Sequence, residues 1–218
     1  MPPTRHDRAY ELDERGSGRP LPRSFFAQPT LTVARQLLGK ILVHASPDGT
    51  TAGRIVEVEA YRGPRDRAAH SRGGHRSPRN ESMYGPAGHA YVYLVYGLHH
   101  CLNVVTRAPG VPEAVLLRAL EPIRGLSLMR TRRGGAAHPD WQLCRGPGVL
   151  CRSLGIDRTF DGRSLRGGRL RIVDAPGFAA PLIRRTARIG VDYAGPDAAR
   201  PWRFLVAGVQ AVSGKRIP

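Results

Sequence analysis

Apolar and polar positions alternate over short stretches, which divides the chain into many small elements. The run TLTVARQLLGK (30–40) has apolar residues at helical spacing and predicts a helix that ends at Gly39. The run GRIVEVEAY (53–61) has the alternation of a strand, with its valines on one face and Glu57 and Glu59 on the other. Strands outnumber helices in this pattern, so we expect a mixed α/β fold of the α+β type.

Further β-rich runs predict strands at 41–44, 90–96, 101–106, 114–120, 171–174, 186–191 and 203–208. Helical spacing recurs within 125–133 and 146–156. The four residues GLHH connect the runs at 90–96 and 101–106. This short connection predicts a β-hairpin with Tyr96 at its tip. The segment 62–80 carries six arginines among glycines and prolines and predicts an irregular basic loop.

The first 22 residues mix charges with Gly and Pro and show no apolar period. They predict a flexible tail (1–22) before one domain (23–218). We expect no signal peptide and no membrane span, because no apolar run is long enough for either. These features favour a cytoplasmic protein.

Charge points to a polyanionic partner. The formal net charge is +17 and the sequence pI is about 11.2. Nucleic acid is the first candidate and an anionic membrane surface the second. Only Lys40 and Lys215 are lysines, so the basic residues are almost all Arg. That choice fits bidentate phosphate binding, and codon bias in a GC-rich genome explains it equally well.

Metal and cofactor sites have little support. The three cysteines form no CxxC pair, and His70 and His75 lack metal-ligand spacing. Nucleotide-binding glycine loops are also missing from the sequence. We therefore expect neither a metal nor a cofactor.

Three features could carry chemistry. Five of the seven tyrosines lie between 61 and 96, and they fit either sheet packing or base stacking. Glu57 and Glu59 adjoin the basic loop, and they fit either a solvated face or a general base. Arg118 interrupts an apolar run, which predicts an ion pair with Glu57, Glu59 or Glu121, or a residue that orients a carboxylate or a water.

The order of several segments resembles the alkyladenine (3-methyladenine) DNA glycosylase family. These segments are VEVEAYRGPRDRAAHSRGG, YVYLVYGLHHCLNVVT, VLLRALEP, LCRGPGVLCRSLGID and RIGVDYAG, and the resemblance runs from about residue 31 to 212. It implies one domain with a curved, mainly antiparallel sheet, surrounding helices and a projecting hairpin. It also implies a bacterial enzyme, monomeric and associated with the nucleoid, that acts on double-stranded DNA containing damaged purines.

The resemblance also assigns roles to residues. Glu59 matches the general base and Arg118 the residue that helps to hold the attacking water, whereas Glu57 matches no catalytic position. The pocket for a flipped base matches Tyr61, His70, Tyr93 and Asn103. Tyr96 matches the side chain inserted into the duplex, and a main-chain carbonyl near Ile189 helps to place the water. DNA backbone contacts are expected from Arg72, Arg76, Ser77, Arg79, His99 and Arg145.

Two positions depart from the family pattern. Val149 stands where a basic residue often contacts phosphate, and His99 stands at a position that varies between aromatic and polar side chains. The expected reaction is hydrolysis of the N-glycosidic bond of 3-methyladenine, hypoxanthine or ethenoadenine, leaving an abasic site without strand cleavage. A non-catalytic nucleic-acid-binding protein and a lesion binder without turnover are the alternatives.

Overall fold

A computed structural model of the chain describes residues 18–135 and 137–214. In these residues the helices are α1 (Arg23–Phe26), α2 (Thr30–Leu37), α3 (Leu126–Arg132) and α4 (Pro147–Leu154). The strands are β1 (Ile41–Ser46), β2 (Gly49–Tyr61), β3 (Ala90–Val95), β4 (His99–Thr106), β5 (Glu113–Arg124), β6 (Leu170–Val173), β7 (Ile183–Thr186) and β8 (Arg203–Val206). Several short 3₁₀ segments fill the connections; one is Asp192–Ala199.

All eight strands belong to one curled antiparallel sheet. Its main order is β3-β4-β5-β2-β1-β6. The first half of β2 pairs with β1, and from Glu57 to Glu59 its edge pairs with β8, which in turn pairs with β7. One edge of β2 therefore changes its partner from β1 to β8, and residues near the end of this strand lie between β5 and β8.

The core fills one face of the sheet. Helix α2 packs against β2 and β5, and α4 packs against β4 and β5. Val56, Val58 and Ala60 of β2 belong to this core, together with Val33 of α2 and Leu150 of α4. The opposite face of β2 carries the polar side chains described below. The expected α+β domain with a curved antiparallel sheet is thus confirmed.

One local expectation was wrong. The segment 186–191 is not a strand, because β7 ends at Thr186 and a turn follows it. Of the two alternatives for Glu57 and Glu59, the solvated face is excluded, since neither has exposed surface. The covering segments are β8 and the turn after β7.

The predicted tail falls mostly outside the described residues, which begin at Gly18. Within the part that is described, Leu21 is buried and its N–H donates to the Ile172 carbonyl. Among the described residues no helix is long and apolar enough to cross a membrane.

We expect Gly39→Ala to lower the free energy of unfolding by about 2–4 kcal/mol. Gly39 has φ of +94°, and a Cβ there would lie 2.6 Å from the Pro176 carbonyl oxygen. The left-handed conformation costs roughly 1–2 kcal/mol and the clash adds to it. Gly168→Ala is the control, because its φ is +79° but nothing lies within 4 Å. Equal losses in urea denaturation of the two variants would contradict the proposed clash.

Candidate active site

Glu59 is held from three sides. Its Oε1 accepts a hydrogen bond from the Ile189 N–H at 2.7 Å and lies 3.2 Å from Nη1 of Arg118. Its Oε2 accepts from the Tyr61 hydroxyl at 2.9 Å. Burial raises the pKa of Glu59 above its ordinary value of 4.5, although Arg118, Ile189 and Tyr61 act in the opposite direction. The result is a buried carboxyl group with raised basicity.

Glu57 has a different environment. Its Oε1 accepts from Nε of Arg203 at 2.6 Å and from Nε of Arg118 at 3.0 Å. The hydroxyl of Ser213 donates to Oε1 at 2.8 Å, and its N–H donates to Oε2 at 2.6 Å. These four donors make Glu57 an anchor for β5, β8 and the residues after β8.

Arg118 reaches both carboxylates from a bulge in β5. Ala119 pairs with Glu57 and Leu117 pairs with Val58, so Arg118 has no partner in the register. A bulge bends a strand and redirects its side chains. The guanidinium therefore lies between Glu57 and Glu59, which are two of the three glutamates that the sequence suggested as its partners. The third, Glu121, is exposed.

Aromatic side chains gather beside Glu59. The rings of His70 and Tyr93 meet edge to face with centroids 4.5 Å apart, and Tyr93 lies 5.3 Å from Tyr91. Nδ1 of His70 forms a 2.7 Å hydrogen bond with the Tyr91 hydroxyl. Burial lowers the pKa of His70, and the charge of Arg79 adds to the effect. The imidazole is therefore neutral near pH 7.

Asn103 is placed in the same wall by the pairing of β3 with β4. It lies opposite Tyr91, and its Nδ2 donates to the Tyr91 carbonyl at 3.1 Å. Cys101 lies opposite Tyr93, and burial raises the pKa of its thiol to about 11. Cys101 is thus a neutral, buried thiol that packs as a small apolar residue.

Tyr96 lies at the tip of the β3–β4 hairpin. Its side chain is 91% exposed, and its φ of +52° is unusual for a residue with a Cβ. The neighbouring Leu98 is 77% exposed. The hairpin therefore presents two large apolar side chains to solvent.

The basic loop packs beside this hairpin. Asn80 donates from Nδ2 to the carbonyls of His70 and His75, which fixes the backbone that carries His70. Arg79 donates to the Leu94 carbonyl at 3.3 Å and so joins the loop to β3. The exposed residues of the expected DNA surface here are Arg72, Arg76, Arg79 and His99, with Ser77 half-buried.

Arg145 and Ile189 make contacts that the sequence did not indicate. Arg145 donates from Nε to the Val212 carbonyl at 2.8 Å and from Nη2 to the Gly214 carbonyl at 2.9 Å. These bonds hold the segment that contains Ser213. The expected main-chain contribution near Ile189 was a carbonyl, whereas the contact that the structure shows is donated by the Ile189 amide N–H to Glu59. Val149 is half-buried in the first turn of α4.

Sequence reasoning missed Asp66, Arg188, Arg203 and Ser213 as neighbours of the two glutamates. One signal was present, because Asp66 is the only acidic residue among six arginines in 62–80. A lone acid in such a loop predicts an ion pair. The structure pairs it with Arg188 at 2.6 Å.

The described residues hold no cluster of three or more His, Cys, Asp and Glu side chains placed to bind a metal. An open cavity of about 700 Å³ lies elsewhere, between the α1–α2 region and residues 174–183. It is not lined by any of the predicted site residues.

Comparison with known proteins agrees with the geometry. The family model described as methylpurine-DNA glycosylase matches residues 24–210. A relative from Anaeromyxobacter dehalogenans strain 2CP-C, provisionally named 3-methyladenine DNA glycosylase, is 52% identical over 194 residues, covering 88% of this chain and 86% of the relative. The DNA-3-methyladenine glycosylase of Mus musculus is 44% identical over 215 residues, covering 94% of this chain and 64% of the mouse protein. The chain belongs to the methylpurine-DNA glycosylase family, whose members are hydrolytic DNA N-glycosylases.

Proposed function

We propose that this enzyme extrudes a damaged purine nucleotide from duplex DNA and hydrolyses its N-glycosidic bond with a water activated by Glu59. The observation that carries the proposal is the environment of Glu59, a fully buried carboxylate with raised pKa beside a cluster of aromatic rings. A protein that only bound DNA would have no use for a buried negative charge at this position.

The hydrogen bonds of Glu59 leave one acceptor position of its carboxylate unused. Among the described residues Oε2 accepts only from Tyr61, so one lone-pair direction of this oxygen is without a partner. A water bound there would give its proton to Glu59 while its oxygen bonds to C1′ of the sugar. The electron pair of the broken C1′–N bond leaves with the base. The carboxylate also stabilises the positive charge that develops on the sugar.

The aromatic cluster suits a flipped purine. Tyr61, Tyr93 and His70 offer ring faces and edges next to the carboxylate, and Asn103 is fixed in the adjacent wall. Stacking on such rings contributes roughly 1–3 kcal/mol per base. A purine with N-alkylation leaves readily because it is already cationic, whereas neutral hypoxanthine or ethenoadenine also needs a proton. We propose these lesions as the substrate class, with Asn103 opposing the exocyclic amine of guanine.

The hairpin and the basic loop suit the surrounding duplex. An exposed apolar side chain at the tip of a turn can fill the gap left by an extruded nucleotide. Tyr96 meets this description, and Arg72 and Arg79 lie on the loop beside it with guanidinium groups for phosphate. Because one chain supplies all these groups, we propose that it acts as a monomer on nucleoid DNA.

Glu59→Gln is expected to lower the excision rate by a factor of about 10²–10⁴, because the amide cannot take the proton of water. The measurement is single-turnover release from duplexes with 3-methyladenine, hypoxanthine or ethenoadenine, followed by alkali to reveal abasic sites. The wild-type protein should release the modified base, and the strand should break only when alkali is added. Lesion binding by the variant should persist. Substantial excision by the variant would disprove the general-base assignment.

The excision rate should fall as the pH drops through the raised pKa of Glu59. Only the carboxylate form accepts a proton, and burial moves its pKa above 4.5. Below that pKa the rate should decrease about tenfold per pH unit. A cationic lesion such as 3-methyladenine isolates this group, since the leaving base needs no proton. A rate that stays constant down to pH 4.5 would contradict the assignment.

Tyr96→Ala is expected to reduce the fraction of flipped lesion, and thus the single-turnover rate, by about 5- to 150-fold. The substitution removes a ring that can stack on a base, and such stacking contributes about 1–3 kcal/mol to binding. Fluorescence of ethenoadenine in the duplex reports the flipped fraction directly. Leu182→Ala is the control, because Leu182 is also an exposed apolar residue but lies just before β7. Equal effects of the two substitutions would remove Tyr96 from the site.

A further inference from the structure

Asp66 and Arg188 form a fully buried ion pair beside the active site. Neither side chain has exposed surface, and two parallel bonds join them: Nη1 to Oδ2 at 2.6 Å and Nη2 to Oδ1 at 2.8 Å. Nε of Arg188 has no hydrogen-bond partner among the described residues. Replacing such a pair by apolar residues is often neutral or stabilising, so stability alone is a weak explanation for it.

The pair joins segments that are distant in the sequence. Arg188 donates to the carbonyl of Ala60 at 3.0 Å and to that of Asp197 at 3.2 Å. Asp66 accepts from the N–H groups of Arg62 and Ala68 at 2.9 and 3.0 Å. The end of β2, the start of the basic loop and the 3₁₀ segment after β7 are therefore fixed relative to one another.

Both uncharged donors to Glu59 depend on this pair. The guanidinium carbon of Arg188 lies 4.8 Å from the ring centroid of Tyr61 and 5.0 Å from that of Trp202, so the group contacts two aromatic rings. Tyr61 donates its hydroxyl hydrogen to Glu59, and Ile189, the residue after Arg188, donates its N–H. A displacement of Arg188 would therefore move both donors.

We propose that Asp66 and Arg188 are positioning residues, which hold the Tyr61 hydroxyl and the Ile189 N–H against Glu59 and so set the pH range in which Glu59 acts as the base. This inference rests on the proposed function of Glu59. It assigns a role to two residues that do not touch the reacting atoms.

Several other groups also set the charge environment of Glu59. They are Arg118 on β5, Glu57 and Tyr61 on β2, Tyr93 on β3, Cys101 on β4, and Arg188 and Tyr193 after β7. A useful variant must leave these charges unchanged. Arg188→Lys and Asp66→Glu meet this condition, since each keeps its charge and changes only the geometry of the pair.

The test is the pH dependence of single-turnover excision of a cationic lesion. Hydrogen bonds to a carboxylate favour its charged form, so weakening them raises its pKa. In Arg188→Lys and Asp66→Glu we expect the acidic limb to move to higher pH by about one unit, a tenfold lower rate in the acidic range. The active fraction of each variant is titrated first, so that partial unfolding is not counted as a change in rate.

Arg132→Lys is the matched control. Arg132 is also a mostly buried arginine, with bonds to the Leu154 carbonyl and the Ser46 hydroxyl, but it lies near α4 and β1. Its substitution should lower stability in urea without moving the acidic limb. If neither variant of the pair folds, Tyr61→Phe serves instead, because it deletes one of the two donors and leaves the pair intact.

An acidic limb that coincides with that of the unchanged protein, with rates reduced equally at every pH, would overturn the proposal and leave the pair a structural role. An unmoved limb in Tyr61→Phe would overturn it as well. Excision that survives Glu59→Gln is a separate result, since it would refute the proposed function itself.

Discussion

The burial of two carboxylates on one strand is the constraint on which the rest of this structure depends. Glu57 and Glu59 follow each other on the same face of β2, and neither reaches solvent. An uncompensated buried charge is strongly destabilising, so the fold must bring cations and hydrogen-bond donors to this face. Arg118 arrives from β5, Arg203 from β8 and the Ile189 amide from the turn after β7. The arrangement of the strands near the site thus places these cations and donors against the two carboxylates.

Irregularities in the sheet allow these groups to contact Glu57 and Glu59. In a regular ladder β2 would keep one neighbour along each edge, but its edge passes from β1 to β8 at Glu57. Register shifts occur on both sides of this residue, and Arg118 is left without a partner on β2 at this point. Bulges of this kind redirect side chains and occur often beside active sites. Here they allow one arginine to contact both glutamates while the next residues return to the core.

Patterns of period and charge allowed much of the fold to be predicted. The alternation in 53–61 placed the valines and glutamates of β2 on opposite faces, and Tyr96 was correctly expected at a hairpin tip. Period alone cannot tell whether a polar face meets water or other polar groups, because that depends on segments far along the chain. For the same reason the environment of Glu57 was not foreseen: Ser213, which donates to it twice, lies 156 residues away. The turn at 187–191 looked like a strand because Ile189 and Val191 alternate. In the structure, however, the Ile189 N–H donates to Glu59 and the Val191 side chain packs beside Tyr61.

The positively charged residues also fall into two groups, one buried and paired and one on the surface, and the two groups have different roles. Arg118, Arg188 and Arg203 are buried and paired, so the cluster around Glu57, Glu59 and Asp66 contains as many cations as carboxylates. The excess charge therefore lies on the surface, on residues such as Arg72 and Arg79 of the basic loop. This division matters for a DNA glycosylase, whose substrate is a polyanion. A locally neutral cluster preserves the basicity of Glu59, which an excess of nearby cations would suppress, while the surface field still attracts the phosphate backbone. The net charge thus indicated the partner, whereas the positions of the buried arginines show how the basicity of a carboxylate, on which the proposed role of Glu59 rests, is kept within so basic a protein.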